Sequence, residues 1–272
     1  MGDLSGISAL VTGASAGIGV AFARELAARG AARIVLVARR EDRLATLADE
    51  LGAVAEVHVA DLSRPEEIET LLENVGPIDL LINNAGFGWA AGFQDQDFPR
   101  LGQMIDLNCR GLVQLTHGCL PAMTRAGRGW ILNVGSTAGL IPTPKLAVYS
   151  ASKAFVNHFT EALRIELQGT GVKVHLLAPG PVDTEFFAVA RPDRPAEAQR
   201  PMGFLFEDAH EVARQALDSM IADRPRSIPG RPIRWAYGIA SILPLAVIRP
   251  LVGLGAHGLD RILNRDEEGT HG

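Results

Sequence analysis

The sequence predicts an α/β fold, in which a doubly wound, mostly parallel β-sheet carries helices on both faces in a single domain. Short apolar runs rich in β-branched residues alternate with longer amphipathic segments through the first 180 residues. Such alternation is typical of a parallel sheet with crossover helices. The runs are almost continuously hydrophobic, as expected of strands buried on both sides. The predicted strands are Ser8–Thr12, Arg33–Ala38, Val54–Ala60, Ile78–Ile82, Trp130–Gly135 and Val172–Ala178.

Composition and charge limit the classes of protein to be considered. The chain has 272 residues, 47% of them hydrophobic, and a formal net charge of −5. This length suits one large α/β domain or two small ones, and the acidic balance gives no indication of a nucleic-acid partner. There is no uncharged apolar run of about 18 residues or more, so no membrane-spanning helix is expected. The amino terminus lacks the pattern of a signal peptide, and we expect a cytoplasmic protein.

The two cysteines are expected to be free thiols. Cys109 and Cys119 stand ten residues apart in one predicted helix. A rise of about 1.5 Å per residue places them too far apart for a disulfide, which suits a reducing compartment. A chain of this size needs no metal to stabilise its core, and no metal site is predicted.

A glycine-rich turn follows the first predicted strand. Residues 12–19 read Thr-Gly-Ala-Ser-Ala-Gly-Ile-Gly and lead into an amphipathic helix over Ile18–Arg29. Glycines let the backbone approach a pyrophosphate, and the start of the helix offers free N–H groups and a positive dipole end. A purely structural turn is the alternative. The position between strand and helix favours a dinucleotide site in a Rossmann-type sheet.

Two arginines follow the second predicted strand. The sequence there reads Ala-Arg-Arg-Glu over residues 38–41, and a helix is predicted over Leu44–Leu51. An acid in this place would bind the ribose 2′-hydroxyl of NAD, whereas an arginine can bind a 2′-phosphate with a bidentate contact. Two solvated arginines at a helix start are the alternative. We favour the phosphate and expect Arg39 and Arg40 to select NADP(H).

A tyrosine and a lysine form a candidate catalytic pair. The chain has two tyrosines and three lysines, and one of each forms Tyr149-Ser-Ala-Ser-Lys153. On a helix this spacing puts both side chains on one face. A nearby ammonium group favours tyrosinate and lowers the phenol pKa from about 10, as acid–base chemistry on a carbonyl requires. A chance pair is the alternative, but the scarcity of lysine and the position of Ser136 at a strand end argue against it.

The regular alternation stops after Pro179. Residues 191–201 contain three prolines and five charged residues, which is typical of a loop, and a helix is predicted over Glu207–Ala222. We assign residues 1–230 to a catalytic domain that binds the dinucleotide. Residues 231–272 are assigned to an apolar, arginine-flanked tail packed on that domain.

Taken in order, the motifs resemble those of the short-chain dehydrogenase/reductase family in its common short form. The resemblance covers roughly residues 5–230. Its motifs are Thr12-Gly13-x-x-x-Gly17-Ile18-Gly19, Asp61-Leu62, Asn83-Asn84-Ala85-Gly86, Asn108, Ser136, Tyr149-x-x-x-Lys153 and Pro179-Gly180. The resemblance implies an NADP(H)-dependent oxidoreductase that transfers hydride between the nicotinamide and a carbonyl or alcohol carbon. The glycine spacing differs from that of the extended branch of the family.

The resemblance also implies catalytic roles. Tyr149 would be the general acid for carbonyl reduction and the base for alcohol oxidation. Ser136 would hydrogen-bond the substrate oxygen. Lys153 would hold the nicotinamide ribose and lower the tyrosine pKa. Asn108 would hold a water that relays protons from Lys153.

The implied cofactor contacts come from the glycine-rich turn and from the ends of the later strands. Arg39 would bind the 2′-phosphate, and Asp61 and Leu62 would border the adenine. The full set is Gly13, Ser15, Ile18, Gly19, Arg39, Arg40, Asp61, Leu62, Asn84, Ala85, Gly86, Tyr149, Lys153, Pro179, Gly180, Val182 and Thr184.

The substrate is expected to be an apolar small molecule. The segments over residues 86–98, over residues 140–146 and after Thr184 show no evident arginine pair for a carboxylate, and they contribute Phe87, Trp89, Phe93, Phe186, Phe187, Phe204 and Phe206. A 3-oxoacyl or hydroxysteroid-type reductase acting on a lipid-like substrate is an alternative. A non-catalytic NADP-binding regulatory protein is another, although such relatives usually lose the tyrosine or the lysine.

Two further surfaces are predicted to make contacts. The resemblance implies a homodimer or homotetramer through the helix with Asn108–Met123 and the Tyr149 helix. The second helix has an apolar outer stripe, Ala154, Phe155, His158, Phe159 and Ala162, and burial within the same subunit is an equally good account of part of it. The uncharged stretch Trp235–Ile248 is too short to span a bilayer of about 30 Å. It either packs over the substrate pocket or a neighbouring subunit, or residues 231–256 contact a membrane surface through flanking arginines. We favour packing.

Overall fold

The computed structural model describes residues 4–190 and 206–230, and beyond these only residues 232–235, 238, 243, 244, 246–248 and 250. The described chain forms one seven-stranded parallel sheet with the strand order β3-β2-β1-β4-β5-β6-β7. Its strands are β1 Ser8–Thr12, β2 Arg33–Ala38, β3 Ala55–Val59, β4 Leu80–Asn83, β5 Gly129–Val134, β6 Val172–Leu177 and β7 Arg226–Ser227. The predicted doubly wound, Rossmann-type architecture is confirmed.

The first six strands coincide with the six predicted apolar runs to within two residues at either end. The seventh was not predicted. It has only two residues, Arg226 and Ser227, which pair with Leu176 and Leu177 of β6. Such a short edge strand carries too few residues to show an apolar pattern of its own.

Helices connect the strands and cover the sheet. They are α1 Gly17–Ala28, α2 Glu41–Leu51, α3 Pro65–Val75, α4 Phe98–Ile105, α5 Leu112–Ala126, α6 Ala147–Glu166, α7 Phe186–Ala190 and α8 Ala209–Ile221. The helix predicted over Glu207–Ala222 begins two residues later than expected. Glu207 pairs instead with Val182 in a β-bridge, and Asp208 caps α8 by accepting a hydrogen bond from the Glu211 N–H at 2.9 Å.

The two faces of the sheet carry separate apolar layers. Buried residues of α1, α2 and α8 pack on one face, and those of α3, α5 and α6 pack on the other. The alternation along β1 shows how one strand serves both layers, because Ala9 and Val11 join the first layer and Leu10 joins the second. Burial of a large aliphatic side chain contributes roughly 1.5–3 kcal/mol, so these layers hold the strand ends in fixed positions.

The order of the strands places a crevice at the centre of the sheet. β1 lies between β2 and β4, and the chain winds outward in opposite directions from this point. In open α/β sheets, ligands bind at such a switch point, beyond the carboxyl ends of the strands. The glycine-rich turn follows β1 here.

Cys109 and Cys119 are both free thiols, as predicted. Among the described residues, no helix is both long enough and apolar enough to cross a membrane.

Candidate active site

The glycine-rich turn has a backbone that side chains would obstruct. Gly13 and Gly17 have φ values of +68° and +54°, which favour glycine. A Cβ on Gly19 would lie 2.2 Å from the Gly13 carbonyl oxygen, so α1 can approach the turn only because this residue lacks a side chain. Ala16 is the N-cap of α1 and provides no side-chain hydrogen bond. The first N–H groups of α1 are therefore not capped by the side chain of this residue.

The turn is fastened to the end of β4. The Thr12 hydroxyl accepts hydrogen bonds from the N–H groups of Asn84 and Ala85, each at 2.9 Å. The Asn84 side-chain amide donates to the Thr12 carbonyl at 2.9 Å. The Asn84 side chain thus fixes the geometry of the turn, and Asn84 also lines the cleft.

One cleft of about 710 Å³ extends from this turn to Tyr149. The predicted site residues that line it are Gly13, Ser15, Ile18, Arg39, Arg40, Asp61, Leu62, Asn84, Ala85, Gly86, Ser136, Tyr149, Lys153, Pro179, Gly180, Val182 and Thr184. Gly19 and Asn108 do not line it. Most of the predicted site residues therefore line one cleft. Gly19 and Asn108 lie behind the residues that line it.

Tyr149 and Lys153 lie on one face of α6, as their spacing predicts. Both are buried. The Lys153 Nζ atom donates to the Val134 carbonyl at 2.8 Å and lies 5.9 Å from the centre of the Tyr149 ring. Ser136 follows the end of β5 by two residues and lines the cleft together with Tyr149, and its hydroxyl accepts a hydrogen bond from the Ala138 N–H at 3.1 Å. The helix and the strand end therefore bring a phenol, a hydroxyl and an ammonium group together.

Burial controls the titration of this pair. It raises the pKa of Tyr149 to about 12, against a smaller opposing effect of the Ser136 hydrogen bond. Burial also lowers the pKa of Lys153 to about 8. The prediction that Lys153 lowers the tyrosine pKa is wrong for this structure. Removing both groups from water penalises tyrosinate and ammonium alike, and this effect exceeds any attraction between them.

Asn108 lies in a π-helical segment, Asp106–Gly111, between α4 and α5. Its amide nitrogen donates to the Phe87 carbonyl and to the Ser152 hydroxyl, each at 3.0 Å, and its amide oxygen accepts from the Phe87 N–H at 3.1 Å. A Cβ on Gly86 would lie 2.9 Å from that oxygen and 3.4 Å from the Lys153 Nζ atom. Asn108 thus positions the chain segment beside Lys153. The side-chain amide bonds protein groups, and the predicted water relay stays a prediction.

The far end of the cleft holds the two arginines. Arg39 has a side chain that is 66% exposed, and its nearest carboxylate is Asp61 at 3.7 Å. The Arg40 Nε atom donates to the Ser15 hydroxyl at 3.1 Å, and Nη1 donates to Glu185 at 2.9 Å. Arg39 is therefore the more available of the two guanidinium groups. Sequence reasoning missed Glu185, because its contact with Arg40 joins residues far apart in the chain.

Beyond Tyr149 the cleft is apolar. Its lining there includes Phe87, Leu140, Ile141, Leu146, Phe186, Val189 and Ile233. Of the predicted aromatic residues, Phe87 and Phe186 lie in the cleft, and Phe186 has its ring centre 5.2 Å from that of Tyr149. Trp89 packs with Phe87 and Phe186 on the apolar cluster that includes Tyr149. The Arg100 guanidinium lies 4.8 Å from the centre of the Trp89 ring.

The other predicted aromatic residues do not reach the cleft or cannot be placed. Phe93 is 67% exposed, and Phe206 is not among the lining residues. Phe204, the loop over residues 191–201 and the Phe187 side chain lie outside the described residues.

Known proteins are similar to this chain in sequence and in fold. The chain is 45% identical over 188 residues to sulfoacetaldehyde reductase 2 of Chromohalobacter salexigens, which covers 66% of this chain and 74% of that protein. A short-chain dehydrogenase from Sphingobium yanoikuyae, solved with NADPH, superimposes with a TM-score of 0.75 at 32% identity, over 88% of this chain and 97% of that one. A short-chain dehydrogenase/reductase from Burkholderia phymatum, solved with NAD, has a TM-score of 0.78 at 27% identity, over 87% and 93%.

The family assignment follows from these similarities and from the chain's own motifs. Residues 8–195 match the family model described as short chain dehydrogenase. This match spans the sheet from β1 to β6 and includes the glycine-rich turn, Ser136, Tyr149 and Lys153. The chain belongs to the short-chain dehydrogenase/reductase family of oxidoreductases.

Proposed function

We propose that the protein is an NADP(H)-dependent oxidoreductase that transfers hydride between the nicotinamide and a carbonyl or alcohol carbon of an apolar small molecule. One observation carries the proposal. A continuous cleft joins an available arginine, a helix N-terminus, a buried Tyr–Lys–Ser group and an apolar chamber. These are the parts that a dinucleotide and an uncharged carbonyl substrate require, arranged in that order.

The residues present fit a dinucleotide. Gly17 and Ile18 expose the start of α1 to the cleft, where its free N–H groups and dipole would bind the pyrophosphate. Arg39 would bind the 2′-phosphate, with Arg40 beside it, and Lys153 would hold the nicotinamide ribose. When bound, the cofactor supplies or accepts the hydride.

The residues of this chain would manage the proton. With its pKa near 12, Tyr149 keeps its proton at neutral pH, as an acid in carbonyl reduction must. Ser136 lines the cleft with Tyr149 and would hydrogen-bond the substrate oxygen, stabilising charge as it develops. Reduction would move a hydride to carbon and the phenolic proton to oxygen, and oxidation would reverse both transfers.

The apolar half of the cleft supports an apolar substrate. Apart from Lys153, its described lining residues beyond the cofactor end carry no charged side chain. An anionic substrate such as the sulfoacetaldehyde of the relative named above would have its sulfonate unpaired there, at a cost in desolvation. A 3-oxoacyl or steroid-type carbonyl compound would also suit an apolar chamber and is the second candidate.

The test is a panel of ketones, aldehydes and alcohols assayed with NADPH, NADH and their oxidised forms. The proposal expects turnover of hydrophobic carbonyl compounds, with a higher kcat/KM for NADPH than for NADH. Turnover confined to anionic aldehydes would overturn the substrate class. If the protein binds NADPH and turns over no member of the panel, the alternative of a non-catalytic regulatory protein is favoured.

Two further proposals concern how the protein assembles and where its tail lies. We propose a homodimer or homotetramer in the cytoplasm, formed through the outer face of α6. Phe155 is 45% exposed there and stacks on Phe159, with ring centres 6.0 Å apart. We propose that the tail packs on the catalytic domain, since its described residue Ile233 lines the cleft.

A further inference from the structure

A carboxylate that the proposed chemistry does not use lies beside the dinucleotide end of the cleft. Glu185 follows Thr184, and its carboxylate oxygens lie 2.9 Å from Nη1 of Arg40 and 2.5 Å from Nη1 of Arg43. Both Glu185 and Arg40 line the cleft. The side chain therefore bridges the segment after β6 to the start of α2, on the side where the arginines would receive a phosphate.

The guanidinium group of Arg40 is hydrogen-bonded to both Glu185 and Ser15. Glu185 accepts from Nη1 of Arg40, while the Ser15 hydroxyl and carbonyl accept from Nε at 3.1 Å and from Nη2 at 3.2 Å. The two arginines hold the pKa of Glu185 below its usual range, so the carboxylate is ionised at neutral pH. Arg39 carries no comparable bond, and its closest carboxylate is 3.7 Å away.

We propose that Glu185 determines cofactor specificity by competing with the 2′-phosphate for Arg40 and so limiting the preference for NADP(H) that Arg39 provides. This inference rests on the proposed binding of NADP(H). Two anions cannot take the same N–H groups, and like charges repel in a partly exposed cleft. A repulsive group of this kind sets specificity as effectively as an attractive one. NAD(H), which lacks the phosphate, leaves the bridge undisturbed.

The bridge also connects the two ends of the cleft. Glu185 immediately precedes α7, whose first residue Phe186 packs against the Tyr149 ring. At the other end of α7 the Val189 carbonyl accepts a hydrogen bond from Arg100 at 3.1 Å. Glu185 therefore lies directly before the short helix that packs against Tyr149.

The experiment measures the contribution of the 2′-phosphate to binding by comparing two nucleotides with and without it. Adenosine 2′,5′-bisphosphate and adenosine 5′-monophosphate differ only in that group, and their binding to the full-length protein is measured by calorimetry. Glu185→Gln is expected to tighten binding of the bisphosphate about three- to tenfold, since an exposed carboxylate competitor is removed. Binding of the monophosphate is expected to stay within about twofold of wild type.

Two controls make the result specific. Glu50→Gln removes a carboxylate that binds Arg24 through two bonds of 2.7 Å outside the cleft, and it should change neither affinity. In an Arg40→Gln background, Glu185→Gln should lose most of its effect on the bisphosphate, because the contested guanidinium is gone.

The outcomes separate this inference from the function it rests on. If wild type prefers the bisphosphate and Glu185→Gln leaves that preference unchanged, or shifts both ligands equally, Glu185 has only a structural role and the inference is overturned. If wild type shows no preference, the proposed selection of NADP(H) fails. A preference that appears only in Glu185→Gln would still support competition by Glu185, and its absence there would overturn both this inference and the proposed phosphate binding by Arg39.

Discussion

Tyr149 and Lys153 illustrate how burial alters a pattern that sequence spacing reveals. The interval of four residues correctly places both side chains on one face of α6. The titration of the pair depends on how much water each group loses, and this is set by packing from β5 and α7 that the local sequence does not contain. The sequence therefore indicated the buried tyrosine–lysine pair, but the predicted direction of the tyrosine pKa was wrong.

Replacement of the phenol tests its role in proton transfer. Tyr149→Phe is expected to lower turnover about a hundredfold or more, because a positioned acid or base contributes 10² to 10⁴. NADPH affinity, measured by fluorescence titration, should change little. Near wild-type turnover in this variant would remove Tyr149 from the mechanism.

The pH dependence should report on Lys153. Its pKa of about 8 means that the ammonium group is present below that pH and is lost as the pH rises through it. Tyr149 stays protonated throughout this range, so it does not contribute to the profile. Because the Lys153 ammonium group would hold the nicotinamide ribose, kcat/KM for carbonyl reduction is expected to fall above about pH 8 as that group loses its proton.

The matched variants are Lys153→Arg and Lys173→Arg. Arginine keeps its charge, so any activity that Lys153→Arg retains should not decline near pH 8. Lys173 is 41% exposed on the side chain and pairs with Asp223, and its replacement should leave the profile unchanged. A decline that persists in Lys153→Arg contradicts the assignment.

Arg39 offers a separate test of cofactor choice. Arg39→Asp removes the available guanidinium and adds a charge that repels phosphate, so the NADPH preference in kcat/KM should fall roughly ten- to a hundredfold. Arg64→Asp is the control, since Arg64 is similarly exposed at 62% and pairs with Glu67. Equal wild-type kcat/KM values for NADH and NADPH would refute the cofactor proposal.

At the scale of elements, the strands with apolar residues of their own were the predictable ones. β1, β2, β4, β5 and β6 are largely buried apolar runs. The edge strand β3 alternates apolar with polar residues and is only half-buried, yet the bounds of all six strands were predicted to within two residues. The elements that were missed are held by contacts between distant residues. β7 exists through its pairing with β6, and α7 lies between the Glu185 bridge and the bond from Arg100 to Val189. Glu185 was missed as a cleft residue for the same reason.

The outer face of α6 carries the prediction of assembly. Phe155→Lys places a charge on a stacked, half-exposed aromatic pair and is expected to shift the protein from dimer or tetramer to monomer, measured by light scattering at micromolar concentration. Val59→Lys is the control, because Val59 is 52% exposed at the end of β3, on the edge strand opposite β7. A wild-type protein that is only monomeric under these conditions contradicts the proposal.

At the scale of the whole molecule, the sheet and the tail contribute to one cavity. The strand ends and α6 provide Ser136, Tyr149 and Lys153, and Ile233 lines part of the apolar side. Its side chain packs with Leu140 on a cluster formed by Leu176, Ala178 and Ile228, and a Cβ on Gly180 would lie 2.3 Å from it. The sequence indicated an apolar tail and favoured its packing on the protein, with a membrane surface as the alternative, because an apolar stretch flanked by arginines suits either surface.

Truncation distinguishes these two locations. Deletion of the residues after Pro232 removes Ile233, together with Ile248, which is only 6% exposed. If the tail encloses the substrate, the truncated protein should bind more of a hydrophobic dye and show a higher KM for an apolar ketone, with NADPH affinity unchanged. Ile233→Ser should raise the same KM without the loss of the whole segment, whereas Trp235→Ser, at a residue 74% exposed, should not. Cosedimentation with anionic vesicles by the intact protein but not by the truncated one, with the KM unaltered in both variants, would instead place the tail on a membrane surface.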